Sequence, residues 1–397
     1  MTDLAHPPAT VRSPGGDAVR TALHRAAPAL LAYTGTRLLG IAVLAVWGAV
    51  ADRSPHQLLS ARWDSLWYAR IAEDGYGYTL RLPDGSVHSD LAFFPLLPWL
   101  ERLISAVSPL SAADAGLAVS AVASLGAAWG VFAVGERVAG RRAGVVLVVL
   151  WAVLPVGIVQ SMAYSESLFT ALAAWGVYAL LARRWLTAGV LAALAGLTRP
   201  VGAAVVAAVW LTAAAELARD RRWRDGRWRD AWREERRMAA AVALAPLGWL
   251  AYFAWVGDRT GSLTGYLDVQ GGWGNGFDGG LAFAAFVGER LTGGAIAAGV
   301  GLLLGVGLLL WLYALCIRQR QPVPLLVYGG VVLLLALTAK GYFGSKPRLL
   351  MPAFPLLLPL AVALARLHPA RTALALGSVG LASAVYGAFW LHGSGPP

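Results

Sequence analysis

The sequence predicts an all-α polytopic membrane protein, and three observations predict it. The 397 residues are 58% hydrophobic and only 14% charged, with a mean hydropathy of +0.60, which is not the composition of a soluble domain. The apolar residues gather into runs near the roughly 20 residues a helix needs to cross the hydrocarbon. The basic residues, all but two of them arginine, fall on alternate loops between those runs, as the positive-inside rule expects.

Taken in order, residues 1–28 read as a cytoplasmic tail and 29–391 as a single transmembrane domain of about eleven helices. The first run is 29–51. "AVA" at Ala49–Ala51 resembles a signal cleavage site, but the run is too long for a signal core, so an uncleaved helix is expected. Arg37, about two turns into it, is expected to snorkel to the interface. Residues 52–115 form the first outer loop. Its apolar stretch 93–107 is interrupted by Glu101, Arg102, Pro95 and Pro98, so it reads as an interfacial or re-entrant helix. Further runs lie at 116–138, 143–160, 165–182, 186–198 and 200–217, the last pair meeting at a proline in "LTRPVG" (Leu197–Gly202). A basic cytoplasmic loop spans 218–238. Then come the run 239–256, an outer loop 257–292, runs at 293–316 and 323–339, an outer basic loop 340–348, runs at 349–365 and 372–391, and an outer tail 392–397.

The charges test this path. With the N-terminus inside, the inner segments hold 21 of the 33 basic residues and 9 of the 22 acids, leaving the inside at +12 and the outside at −2. Counting 93–107 as a span would put the nine arginines of Arg219–Arg237 outside. The net charge of +11 is therefore a topology signal and not a nucleic-acid footprint. The Arg219–Arg237 loop is expected to anchor against anionic lipid.

Other classes are excluded on similar grounds. Cys316 is the only cysteine, so no disulfide within the chain is possible. "GGWGNG" (Gly271–Gly276) has neither a preceding strand nor a clear following helix, and reads as a flexible outer loop and not a phosphate cradle. No nucleotide-binding unit appears.

Chemistry is expected on the outer face. In "RWDSLWYARIAEDGYGY" (Arg62–Tyr78), Trp63, Leu66, Trp67 and Ile71 recur at helical spacing, as on the apolar side of a headgroup-level helix. Ser60 is its expected N-cap and Gly75 its terminator. Asp64 then falls in the first turn, where the helix dipole favours a carboxylate. Asp74 and Glu73 are expected to pair with Arg70 or face water. "AYSESLF" (Ala163–Phe169) opens an inward-running helix, with Ser165 as cap and Glu166 in its first turn. A carboxylate at membrane depth is costly unless it has a use. "KGYFGSKPRLLMPAFPLL" (Lys340–Leu357) holds both lysines and Arg348, and Arg199 ends a helix on the same face. Arg199, Lys346 and Arg348 suit a phosphate clamp. His56 and His88 read as isolated loop histidines.

This layer of acids, cations and aromatics fits attack by an alcohol on a sugar carried by a lipid phosphate. A phosphate held by cations leaves without a proton donor, so one base suffices. Glycoside hydrolysis would want a paired acid. No Cys/His metal spacing and no tight Asp-x-Asp cluster is present, so no metal and no cofactor is expected beyond the lipid-phosphate sugar donor, which is a substrate. A transporter or flippase is the alternative class, but it calls for internal repeats and midplane charge, and no clear repeat is found. A non-catalytic membrane subunit is a third.

At these residues the sequence resembles the PIG-V family. "RWDSLWYARIAEDGY", "LAFFPLLP", "AYSESLF" and "LTRPVG" look like that family's blocks, in its order, over the first half of the chain. The second half matches by hydropathy and the late "KPR". These are mannosyltransferases of the GT-C type, represented in eukaryotes by GPI mannosyltransferase 2. The resemblance implies a GT-C fold and a polyprenyl- or dolichyl-phosphate mannose donor. It also implies transfer with inversion to a lipid or glycan acceptor on the non-cytoplasmic face of the cell membrane. Asp64 would be the base, and Trp63, Tyr68, Tyr164, Glu166, Arg199, Lys346 and Arg348 would contact substrate. One departure is the insert "TLRLPDGSVHSD" (Thr79–Asp90). A composition rich in Ala, Gly and Arg points to a bacterial source.

Overall fold

In hydrocarbon a backbone must satisfy its own polar groups, so the apolar runs have one local solution, the helix. The computed structural model, which describes residues 14–219 and 228–395, is helical through most of their length. The first half comprises α1 (Pro14–Val50), α2 (Pro55–Ser60), α3 (Asp64–Asp74), α4 (Leu96–Val107), α5 (Ala112–Ala139), α6 (Arg141–Ala152), α7 (Ser165–Leu181), α8 (Trp185–Gly196) and α9 (Ala203–Arg219). The second half comprises α10 (Trp228–Leu244), α11 (Leu247–Thr260), α12 (Gly265–Gly272), α13 (Leu281–Thr292), α14 (Ile296–Arg318), α15 (Val323–Thr338), α16 (Lys346–Leu350), α17 (Leu358–Ala365) and α18 (Pro369–His392). Residues 1–13 of the expected tail and 220–227 of the basic loop lie outside the described residues.

Among the described residues, six stretches are long and apolar enough to cross a membrane: Val19–Val50, Ala112–Ala139, Pro200–Arg219, Glu235–Thr260, Ile296–Arg318 and Pro369–His392. Phe343–Leu350 and Phe354–Ala365, bent by 74°, would make a seventh as a broken pair. Ser165–Leu181, Trp185–Gly196 and Val323–Thr338 are apolar but shorter. The run 143–160 is split, because α6 stops before Pro155 and resumes as a 3-10 segment, Gly157–Ser161.

Several local expectations are corrected. α1 starts at Pro14, well ahead of the apolar run. Arg37 does not snorkel: its guanidinium donates to the carbonyls of Ala152 and Gly157, where that break leaves backbone acceptors open. His56 is not isolated, since its Nε2 lies 2.6 Å from Asp114 Oδ1. The insert Thr79–Asp90 folds as an antiparallel hairpin of β1 (Thr79–Arg81) and β2 (Val87–Ser89), pairing Leu80 with His88. "GGWGNG" is not a free loop: α12 ends within it, and β3 (Gly276–Phe277) pairs with β4 (Ala339–Lys340).

Small residues set the helix spacing, as is usual where lipid gives no hydrophobic drive between helices. A Cβ on Gly248 of α11 would lie 1.9 Å from the Ala193 carbonyl of α8, and one on Gly189 of α8 would meet Ala241 of α10 at 2.8 Å. Aromatic packing fills the centre, where Tyr33 of α1 stacks on Trp151 of α6 with centroids 5.5 Å apart.

The two ends of the bundle differ. One gathers arginines against helix ends: Arg25 pairs with Glu136 at 2.9 Å, Arg137 donates to Leu181 O at 2.9 Å, and Arg142 donates to Leu367 O. The other carries α2–α4, the hairpin, α12 and the start of α7.

Candidate active site

Four segments far apart in sequence converge at that second end. Asp64 opens α3. Tyr164, Ser165 and Glu166 stand where extended chain turns into α7. Arg199 sits between α8 and the 3-10 turn Pro200–Gly202. Arg348 lies in α16.

The start of α3 is not built as expected. Ser60 closes α2, and the N-cap position belongs to Trp63, at φ 51° and ψ −118° with no side-chain cap bond. Positive φ on a bulky residue costs on the order of 1–3 kcal/mol, so its surroundings must impose it. The Ser65 hydroxyl accepts from the Arg62 N–H at 2.9 Å and donates to the Arg62 carbonyl at 2.6 Å. The Arg62 guanidinium lies 4.0 Å over the Trp63 ring and donates to the carbonyls of Leu391 and Gly393. The kink delivers Asp64 into the first turn, as expected. The protein-facing side of α3 is Ser65, Tyr68, Ile71 and Ala72, whereas Leu66 is exposed. Gly75 ends the helix at φ 79°. Arg70 stacks over Tyr78 at 3.7 Å.

Arg348 Nη1 donates to Asp64 Oδ2 at 2.6 Å, and its Nε lies 3.4 Å from Glu166 Oε1. Arg199 Nη1 contacts the same Glu166 oxygen and donates to Ser165 Oγ at 3.1 Å. Glu166 is fully buried, and neither of its oxygens has an aligned hydrogen bond. Two guanidiniums therefore hold its charge by proximity. Asp64 keeps 23% of its side chain exposed, so it is the carboxylate that can meet an incoming group.

Two tyrosines frame the cluster. Tyr68 OH and Ser165 Oγ are 2.8 Å apart. The Tyr164 hydroxyl accepts from the Asp64 N–H at 3.3 Å, and its ring lies 5.1 Å from the Arg348 guanidinium. Ser120 of α5 holds Tyr164 by donating to its carbonyl at 2.9 Å. Burial, reinforced for each by the Asp64 and Glu166 carboxylates, pushes both phenols up, against the arginines. They stay protonated donors at neutral pH.

The structure thus brings Asp64, Trp63, Tyr68, Tyr164, Glu166, Arg199 and Arg348 together. It does not bring Lys346 into the cluster: the Lys346 ammonium donates to Ala336 O at 2.6 Å and Ala339 O at 2.9 Å, beside Phe283. Sequence reasoning read Ser165 as a cap, but α7 is capped by Tyr164 and the serine bridges Tyr68 to Arg199. It also missed the aromatic roof. Trp67 stacks on Phe93 at 5.5 Å and meets Trp273 edge-on at 4.9 Å, while His88 stacks on Trp273 at 4.1 Å. Trp273 sits inside "GGWGNG", and nothing local in that glycine-rich stretch signals its partners. Among the described residues no three His, Cys, Asp or Glu side chains gather as a metal cage would need.

No family model and no curated protein matches the chain. Solved structures do. ArnT from Cupriavidus metallidurans bound to undecaprenyl phosphate aligns with a TM-score of 0.51 at 17% identity, covering 87% of this chain and 63% of that one. ArnT from the same organism in the apo state aligns with a TM-score of 0.50 at 14% identity, covering 85% and 70%. The chain spans less than two thirds of the first protein's length. At such identities the likeness concerns the fold alone and does not single out the PIG-V family. This chain therefore has the GT-C membrane fold, with its buried ion-pair cluster at one end of the bundle.

Proposed function

We propose that this protein is a membrane glycosyltransferase that moves mannose from a polyprenyl-phosphate carrier to a lipid-linked or cell-envelope acceptor. Transfer takes place on the non-cytoplasmic face with inversion. The observation that carries the reading is the 2.6 Å contact between Arg348 and the partly exposed Asp64, within a buried cluster on a GT-C fold. One of the similar ArnT structures holds undecaprenyl phosphate, which supports a carrier of that class.

In this reading the resting base is masked by its guanidinium partner. An entering phosphate gives Arg348 and Arg199 a competing oxyanion and frees Asp64. The acceptor oxygen then bonds to the anomeric carbon while its proton passes to Asp64. The bond from that carbon to the phosphate oxygen breaks, and its electron pair stays on the phosphate, which leaves as the polyprenyl monophosphate. Tyr68, Tyr164 and Trp63 shape the sugar side, and Glu166 holds the two arginines. Lys346, fastened to carbonyls, supports the wall beside the cluster.

The test uses purified protein in lipid, radiolabelled polyprenyl-phosphate mannose and a host membrane-lipid extract, with wild type and Asp64→Asn side by side. A general base contributes about 10²- to 10⁴-fold, so the variant should lose that much while remaining folded. Normal transfer by Asp64→Asn would remove the base assignment. Transfer from a glucose- or arabinose-charged carrier alone would correct the sugar. No transfer from any carrier would overturn the reading in favour of a transporter or a binding subunit.

A further inference from the structure

At the arginine-rich end, away from Asp64, a groove of about 730 Å³ opens between α1, α6 and α18. Its walls run from Pro28 to Leu39 on α1 and from Pro369 to Gly380 on α18. At 1.5 Å per residue each wall is about 16 Å long, close to the roughly 15 Å of hydrocarbon in one leaflet. The walls are apolar or small throughout. The charged lining is Arg141 and Arg142, at the start of α6.

These two guanidiniums have no carboxylate partner among the described residues. Arg141 Nε donates to Arg25 O at 3.2 Å and Arg142 Nη2 to Leu367 O, which leaves each with further donors. The nearby Glu136 is engaged by Arg25. The groove therefore joins an uncompensated double positive charge at headgroup level to an apolar channel one leaflet deep.

We propose that this groove seats one anionic phospholipid, with its phosphate between Arg141 and Arg142 and one acyl chain along α1 and α18. The seat joins the N-terminal and C-terminal membrane helices to α6. A polyprenyl carrier is the wrong occupant, because its chain far exceeds one leaflet. The proposal does not depend on the transferase reading.

The experiment uses delipidated full-length protein in detergent. Phosphatidylglycerol and phosphatidylcholine of matched chains are titrated, and thermal melting and native mass spectra are read. Wild type should retain one phosphatidylglycerol and melt higher with it than with phosphatidylcholine. Arg141→Gln with Arg142→Gln should bind it about 30-fold more weakly, from the loss of two headgroup charges. Gly35→Leu with Gly377→Leu should abolish the adduct by filling the channel, since a Cβ at either position meets nothing within 4 Å. Equal stabilisation of wild type by both lipids would overturn the proposal, and needs no variant to fold. So would an adduct that survives the leucines, or one displaced by stoichiometric undecaprenyl phosphate. A second copy of the chain on this face would appear as a dimer lost in the leucine variant with no lipid adduct in wild type, which also overturns it.

Discussion

Arg348 is the side chain on which the cluster turns, because one guanidinium serves two carboxylates. Removing it leaves Asp64 and Glu166 facing each other with only Arg199 nearby. Breaking a buried pair from one side costs about 3–5 kcal/mol, so Arg348→Ala should melt well below wild type. Adding Asp64→Asn should restore part of that loss, because the orphaned charge is gone. Melting curves of the two single variants and the double variant measure the coupling, and strictly additive losses would refute the pairing. Arg348→Lys keeps the charge but loses the two-armed reach. It should fold, yet transfer sugar roughly 10²-fold more slowly, the scale of one lost electrostatic contact. A near-normal rate would show that charge alone suffices.

Among the helices, α4 carries an unusual burden. Glu101 is buried against Gly116 of α5, where an added Cβ would lie 2.5 Å from its Oε1, and its Oε2 has no hydrogen-bond partner. Burial, with a lesser push from Glu73, raises its carboxyl to about 9. The folded chain thus holds a proton that the unfolded chain releases. This contribution to stability is complete below the ordinary value of 4.5 and is lost as pH rises toward 9. Wild type should lose melting temperature between about pH 5 and 9, and Glu101→Gln should flatten that slope. Matching slopes would show that Glu101 is ionised in the fold. Helix spacing gives a second check. Gly248→Ala drives a Cβ into the Ala193 carbonyl and should destabilise the protein strongly. Gly301→Ala in α14, with nothing within 4 Å, should be neutral or gain up to about 1 kcal/mol.

For the whole molecule, the decisive property is which end faces the cytoplasm. From the charge asymmetry of the sequence we propose that the arginine-rich end lies inside and the Asp64 cluster outside. In a Cys316→Ala background, a cysteine at Asp84 in the hairpin turn should react with an impermeant maleimide on intact cells. One at Gln319, just past α14, should react only after permeabilisation. The reverse pattern would invert the topology and remove the cluster from any outward-facing acceptor. Both positions are exposed, so accessibility would reflect sidedness.

Long apolar runs and charge placement were readable from the sequence alone, because each run must satisfy its own backbone in lipid. Most of the expected runs are accordingly helical, although 143–160 and 349–365 are broken. So in part were the charges of the cluster: Glu166 stood out because a carboxylate at membrane depth is expensive, Asp64 as a first-turn acid, and Arg199 and Arg348 as outer-face cations suited to a phosphate. The tertiary structure alone decided their partners. Asp64 meets Arg348 across 284 residues of sequence, Ser165 bridges Tyr68 and Arg199 instead of capping, and Lys346 is drawn to carbonyls instead of the cluster. It also decided that α1 begins early, that Arg37 closes a broken helix, and that a glycine-rich stretch holds the aromatic roof. The physical reason is range. Hydropathy and helix signals act within a few turns, whereas an ion pair or a stacked ring depends on which distant segment the packing brings within a few ångströms.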